Sequence, residues 1–155
     1  AKYTNTTYAA MAGLVTANLA YSINDLEKAK SQLQWVEEKS SSKSLQTLAR
    51  LRLATLLMDQ KDDSALQRAD ELLKKSVAPG FESIQLERQG DVRLLQNKPE
   101  EAKKLYLQAW NFIDNQKAKQ AGVKELDPMA KEFEKRNPGE GQRLLKIKID
   151  SLGGF

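Results

Sequence analysis

A chain of 155 residues is the size of one domain and long enough to bury a core. Its 40% apolar and 30% charged residues, with only 8 Gly and 4 Pro, describe a folded helical composition and exclude a disordered one. Histidine and cysteine are both absent, which removes the usual general base, the commonest metal ligand, the physiological pH switch and all thiol or disulfide chemistry. No run approaches the roughly 20 apolar residues of a membrane span. The chain opens on Ala1 and not on Met, as a processed or excised piece does, so the lack of a leader or anchor carries little weight.

The first helix is predicted over about Thr6 to Tyr21, where Tyr8, Met11, Leu14, Val15, Ala17 and Leu19 make an apolar face broad enough to pack on two sides. It stops near Ser22. Asn24 followed by Glu27 reads as a capping box that opens a second helix carrying Leu26, Ala29, Leu33 and Val36. Ser40 to Ser44 is a polar loop, with Ser44 as the cap of a third helix bearing Leu48, Leu51, Ala54, Leu57 and Met58. A fourth helix is expected from Ala65 to about Val77, where Ala78-Pro79-Gly80 ends it because proline denies a donor and restricts the residue before it. The fifth and sixth helices lie between Leu86 and Ala109. Gly90 sits where the fifth must let its partner come close, Pro99 opens the sixth, and Ala102, Tyr106 and Ala109 line one stripe at i, i+4, i+7.

That small-residue register is the one found in tetratricopeptide hairpins. Ala17, Ala54 and Gly90 are 37 and 36 residues apart, near the roughly 34-residue period of such repeats. Ala29 follows Ala17 by twelve residues and Ala102 follows Gly90 by twelve, whereas Ala69 follows Ala54 by fifteen. The extra residues are assigned to the polar turn Gln60 to Ser64, since a turn absorbs an insertion that a packed helix cannot. The expected fold is all-α: a tetratricopeptide-like, right-handed array of about three helical hairpins plus a C-terminal closing helix.

From Gln116 to Gly141 the pattern changes to a polar, Lys-rich segment broken by Gly122, Pro128, Pro138, Gly139 and Gly141, the best candidate for a mobile region. Within it Val123, Leu126, Ala130 and Phe133 have helical spacing and predict a short amphipathic helix that docks. Charge concentrates here: residues 117 to 148 hold nine Lys or Arg against five Asp or Glu, residues 1 to 116 sixteen against fifteen. Leu144 to Leu152 alternates like a strand, but Leu145, Ile149 and Leu152 stand at i, i+4, i+7, and an all-helical array favours a closing helix. The expected division is residues 1–115 for the hairpins, 116–141 for a basic connection and 142–155 for the closing helix of the same domain.

Several short segments, in order, carry a more specific likeness: Thr7-Tyr8-Ala9-Ala10, Leu26-Glu27-Lys28-Ala29 with Gln32-Leu33-Gln34, Leu51-Arg52-Leu53-Ala54, Gly80-Phe81, Leu86 to Asp91, and Lys146 to Leu152. Over most of residues 7 to 112 and the C-terminus the chain resembles the YfgM-type ancillary subunits of the bacterial Sec translocon. The resemblance implies a periplasmic repeat domain of an inner-membrane protein with a short cytoplasmic N-terminus and one membrane-spanning helix, of which this chain resembles the last part. It also implies the partners: the SecYEG translocon, the membrane-anchored periplasmic chaperone PpiD, and emerging polypeptide chains nearby. Two departures stand out, for the anchor is absent from this chain and the Gln116 to Gly141 segment is longer than the family's usual connection.

For chemistry the sequence offers little beyond solvated charges. Asp62-Asp63 and Glu100-Glu101 are adjacent pairs, which point about 100° apart on a helix and do not converge on one ion, and no Gly-rich phosphate loop is present. The expectation is therefore no catalysis, no metal and no cofactor. The basic C-terminal third suggests nucleic acid or anionic lipid, but Glu125, Asp127, Glu132, Glu134 and Glu140 interrupt it, and a nucleic-acid groove concentrates one sign; no nucleic acid is expected. The working surface of such arrays is the concave face of the first helices, which by repeat position holds Leu14, Asn18 and Tyr21, then Leu51, Thr55 and Met58, then Glu87, Asp91 and Leu94. Its Leu and Met residues are equally well placed to fill the core. Trp35 and Trp110 are expected to be packing residues. Arg52 and Arg88, each two residues before the small residue, stand where a carboxylate is held, with intrachain pairing to a carboxylate such as Glu87 or Asp91 favoured for both. The resulting reading is a non-enzymatic interaction domain at the periplasmic side of the Sec translocon; the competing one is a soluble tetratricopeptide adaptor or regulator unrelated to secretion, its basic tail docking an acidic partner.

Overall fold

The computed structural model describes residues 6–155, and among these eight helices form and no strand: α1 (Thr7–Ser22), α2 (Leu26–Lys39), α3 (Lys43–Met58), α4 (Asp63–Leu73), α5 (Glu82–Leu95), α6 (Pro99–Gln120), α7 (Pro128–Arg136) and α8 (Glu140–Asp150). None is long and apolar enough to cross a membrane. The helices fall into two compact units, one ending at Phe81 and one formed by Glu82–Phe155.

In the first unit α1 packs on α2, α2 on α3 and α3 on α4. The α1–α2 crossing is set by small residues: Ala10, Gly13, Ala17 and Ala20 are buried, and a Cβ added to Gly13 would lie 2.6 Å from Val36 Cγ2 and 3.5 Å from the Trp35 ring. Trp35 is thus a packing residue. The caps differ from expectation for a backbone reason. Asn24 adopts φ 60, a left-handed conformation that its short polar side chain tolerates, and the next residue, Asp25, accepts from the Lys28 N–H at 3.2 Å. Ser42, not Ser44, caps α3 by accepting from the Leu45 N–H at 3.4 Å. Asp62 caps α4 at 2.9 Å, so the helix starts before Ala65. The turn there holds only residues 59–62; the rest of the inserted length is helical, and Leu66, twelve residues after Ala54, is buried.

Helix α4 stops at Leu73 and not near Val77 because the backbone beyond it is taken by α3. The Ser76 carbonyl accepts from Arg50 Nη1 at 2.8 Å and the Ala78 N–H donates to Thr47 Oγ1 at 3.0 Å. Arg50, only 8% exposed, also donates through Nε to Glu37 Oε1 at 3.1 Å, where Lys75 Nζ adds a second contact at 3.0 Å. Burial alone raises the Glu37 pKa, but the hydrogen bonds and charges of Lys75 and Arg50 together outweigh it and hold the carboxyl below its ordinary 4.5. A depressed carboxylate pKa contributes stability that is complete above about pH 4.5 and is lost as pH falls through the lower folded value. Glu37→Gln is therefore expected to lower the urea midpoint at pH 7 and to flatten the loss of stability as pH falls below about 4.5, read as denaturation midpoint against pH.

In the second unit α5 packs on α6 and α6 on α8. Its core is Ala102, Tyr106, Ala109, Trp110, Leu145 and Ile149, with Leu86, Leu107, Ile113 and Leu152 at the edge, so the closing segment is a helix and Trp110 a packing residue. Pro99 occupies the first turn of α6 as expected. The residue two before each hairpin's second helix has a positive φ: Asn24 (60), Lys61 (56) and Asn97 (60). This turn recurs at the same 37- and 36-residue spacing as Ala17, Ala54 and Gly90, a second, independent mark of the repeat.

The connecting segment is more helical than its composition suggests. Helix α6 runs to Gln120 with Ala118 buried, and α7 forms behind the Asp127 cap, which accepts from the Ala130 N–H at 2.8 Å. Yet α7 buries nothing. Phe133 is 62% and Met129 83% exposed, and Val123 is exposed as well, so the apolar docking expected of Val123 and Phe133 does not occur. Nine residues offer too short a stripe to replace a core contact, and α7 is tied instead by the Lys117–Glu134 ion pair.

Gly90 faces the ring of Tyr106: a Cβ there would lie 2.4 Å from Cε1 and 2.7 Å from Cδ1. The ring is fully buried and has nowhere to retreat. Gly90→Ala gains about 1 kcal/mol of helix propensity but overpacks the crossing, and a net destabilisation of about 1–3 kcal/mol is expected from chemical denaturation; an unchanged or raised midpoint excludes this packing.

Candidate interaction surface

The anticipated face divides into residues that solvent reaches and residues that it does not. In the first unit Asn18 and Tyr21 are exposed and Thr55 is half-buried, whereas Leu14, Leu51 and Met58 are core residues. The reason lies in helix geometry: Leu14, Leu51 and Met58, three before or four after the small residue, share its stripe and face the hairpin partner, while Asn18 and Thr55, one residue on, are turned about 100° away; Tyr21, four after Ala17, lies in the last turn of α1 and stays 54% exposed. Arg52 Nη1 donates to Asn18 Oδ1 at 3.3 Å, linking α3 to α1, and the Tyr21 hydroxyl donates to Asp59 Oδ2 at 3.4 Å. Among the described residues Arg52 meets no carboxylate within ion-pair distance, leaving most of its five donors open. Met11 and Val15, exposed on α1, were not part of the anticipated face. Their helical spacing from Asn18 was the available signal.

In the second unit Leu94 is partly exposed, but Glu87 and Asp91 are consumed by the protein's own cations. Lys148 Nζ, from α8, donates to Glu87 Oε1 at 2.7 Å and to Asp91 Oδ1 at 2.6 Å; Tyr106 donates to Asp91 Oδ1 at 2.8 Å and Arg88 to Asp91 Oδ2 at 3.0 Å. Arg88 thus forms the expected intrachain pair. Lys148 also sits 5.4 Å from the Tyr106 ring centroid. Burial first, and the Asp91 charge second, push the Tyr106 hydroxyl pKa far above its ordinary value, so it stays a donor. A second clasp lies further along α6, where Gln142 Nε2 donates to Asp114 Oδ1 at 3.2 Å and Lys117 Nζ to Gln142 Oε1 at 2.7 Å. Neither Lys148 nor Gln142 was predicted to matter, because their partners lie on other helices and no local pattern marks them.

The second unit also carries an open cleft of about 440 Å³ lined by Glu132, Lys135, Arg136, Lys146 and Phe155. Its cations are already engaged: Arg136 with Glu132 at 3.2 Å, Lys146 with Asp150, and Lys135 over the Phe155 ring at 5.0 Å. Among the described residues no group of three or more Asp or Glu is placed to hold a metal ion.

Consecutive helical hairpins crossing at small residues, with an accessible face of mixed character, define a helical-repeat interaction protein. The chain belongs to the tetratricopeptide repeat-like domain family, whose profile matches residues 1–154. Over 151 residues it is 30% identical to the ancillary SecYEG translocon subunit of Neisseria gonorrhoeae (strain ATCC 700825 / FA 1090), an alignment that takes in 97% of this chain and 60% of that protein. The chain therefore spans about 60% of the length of this curated relative. No solved structure gives a significant match.

The Asp91 clasp makes a quantitative expectation. Asp91→Ala leaves Lys148 and Tyr106 without their shared acceptor and is expected to cost about 1–3 kcal/mol of stability. A double-mutant cycle with Lys148→Ala should show a coupling of about 0.5–3 kcal/mol by urea denaturation; strictly additive losses would mean the two side chains do not meet.

Proposed function

We propose that this chain is a non-enzymatic protein-interaction domain of an ancillary subunit of the SecYEG translocon, held on the periplasmic side of the inner membrane. Its contact surface in the first unit is built from Asn18, Tyr21, Arg52 and Thr55. The observation that carries the reading is the Arg52–Asn18 link at 3.3 Å. It presents a guanidinium with open donors beside exposed Met11 and Val15, a combination that suits the backbone carbonyls and apolar side chains of another polypeptide. The likeness to a translocon subunit supplies the partner class. On this reading the chaperone PpiD and emerging chains are further partners of the same neighbourhood, and membrane attachment comes from a helix outside this chain.

Glu87 and Asp91 are not assigned to recognition. Their carboxylates already accept four hydrogen bonds from within the chain, and a partner would have to displace them.

The test is crosslinking from a photoreactive residue at position 18 or 55 of the full-length protein in cells. Tyr21→Ala combined with Arg52→Glu is expected to reduce adducts with the translocon or its periplasmic chaperone about tenfold or more, with helical content by circular dichroism preserved. Undiminished adducts in that variant, together with their loss on deleting residues 117–141, would move the contact to the basic segment and favour the adaptor reading.

A further inference from the structure

Helix α1 is unlike the other helices in carrying no Asp, Glu, Lys or Arg over its 16 residues. It is apolar nearly all round. A helix of that kind in a folded protein is one that is covered on all sides, yet α1 is covered on one. Its Ala10, Gly13, Ala17 and Ala20 side is buried, while Tyr8, Val15, Leu19 and Ile23 on the opposite side are exposed.

The repeat shows what is missing. Thirty-seven residues after Leu19 comes Leu56, in the equivalent place on α3: Leu19 is 63% exposed and Leu56 5%. Ala12 is exposed and its counterpart Ala49 fully buried; Thr16 is half-buried and its counterpart Leu53 buried. Helix α3 packs mainly on α4, its hairpin mate, and on α2 from the preceding hairpin, and touches α1 more lightly. By repeat position the Ala54 side of α3 corresponds to the Ala17 side of α1, which meets its hairpin mate; we assign the buried side carrying Ala49, Leu53 and Leu56 to α2. Helix α1 has the same side and, among the described residues, no helix to fill it.

We propose that the Ala12–Thr16–Leu19 side of α1 is the seat of one further helical hairpin of the same family, carried in the same polypeptide ahead of α1. The occupant is an amphipathic helix of the α2 kind. It meets Ala12 closely, as α3 is met at Ala49, and lays an uncharged apolar face on Leu19 and Ile23, since α1 offers no charge to pair. The relative's length accommodates it: nearly all of this chain aligns with only 60% of that protein, so two-fifths of the relative lies outside the match. This assignment is independent of the translocon reading, for its seat, Ala12, Thr16 and Leu19, shares no residue with Asn18, Tyr21, Arg52 and Thr55.

The absence of cysteine makes the test clean. Leu19→Cys introduces a single thiol, and Lys39→Cys, at an exposed position of α2, serves as control. In the full-length protein, with any upstream cysteine replaced by serine, alkylation at position 19 is expected to be at least about tenfold slower than in the 155-residue chain, and at position 39 equal in both. Leu19→Asp is expected to lower the denaturation midpoint of the full-length protein while leaving that of the 155-residue chain unchanged. Equal alkylation rates at position 19 in the two forms overturn the proposal. So does protection of position 19 that grows with concentration in the 155-residue chain and is absent from the full-length monomer, which assigns the face to a second copy. A gene product with no helical sequence ahead of α1 overturns it outright.

Discussion

Small side chains at the points where paired helices cross govern the rest of this structure. Helix pairs approach to about 8–10 Å according to what stands at the contact. Gly13 and Gly90 remove the last methyl, so Val36 lies against one backbone and the Tyr106 ring against the other. Once the axes are that near, Ala10, Ala17 and Ala20 on one crossing, and Ala102 and Ala109 on the other, are buried without needing bulk. Long side chains are then free for other work. Tyr106 is an instance: its ring fills the space that Gly90 leaves open and its hydroxyl reaches Asp91.

Polar groups close what packing alone leaves loose. Each unit carries a cation that draws together segments distant in sequence: Arg50 joins α3 to Glu37 and to the chain after α4, and Lys148 joins α8 to α5. Such partly buried, multiply bonded charges are costly to leave unsatisfied and so fix one arrangement. They also determine where recognition is possible. Glu87 and Asp91 of α5 are already held by the chain's own donors, whereas Arg52, hydrogen-bonded to the neutral Asn18 amide, still has donors to give.

Much of the fold was readable from the chain, for a physical reason. A crossing that tolerates only Gly or Ala writes itself into the sequence, and its recurrence at 37 and 36 residues placed all three hairpins. Helix starts were less legible. Asn24 and Asp25 are both good caps, and the choice between them was made by the left-handed backbone at Asn24, which residue type alone does not reveal. The candidate face was legible in part. Counting from Ala17 and Ala54 picked out the accessible Asn18, Tyr21 and Thr55, but Leu14, Leu51 and Met58 lie on the same stripe as the small residues and are therefore core. Long-range polar partners such as Lys148 and Gln142 leave no periodic trace, because a contact between residues 57 or 61 positions apart has no local counterpart.

The last helix has a bearing on how the chain is made. Synthesis delivers α5 and α6 first, and their hairpin is local enough to form as it emerges. Glu87 and Asp91 then face each other across one helical turn with Arg88 as their only cationic neighbour from within the hairpin, and like charges so placed repel. Lys148 arrives 57 and 61 residues later and relieves that repulsion, bringing Leu145 and Ile149 onto Trp110 and its neighbours in the same motion. Completion of the second unit thus waits for the emergence of α8. A ribosome stalled before α8 holds a hairpin whose acidic pair has lost the Lys148 contacts and whose tryptophan lacks Leu145 and Ile149, the kind of surface that quality-control factors recognise.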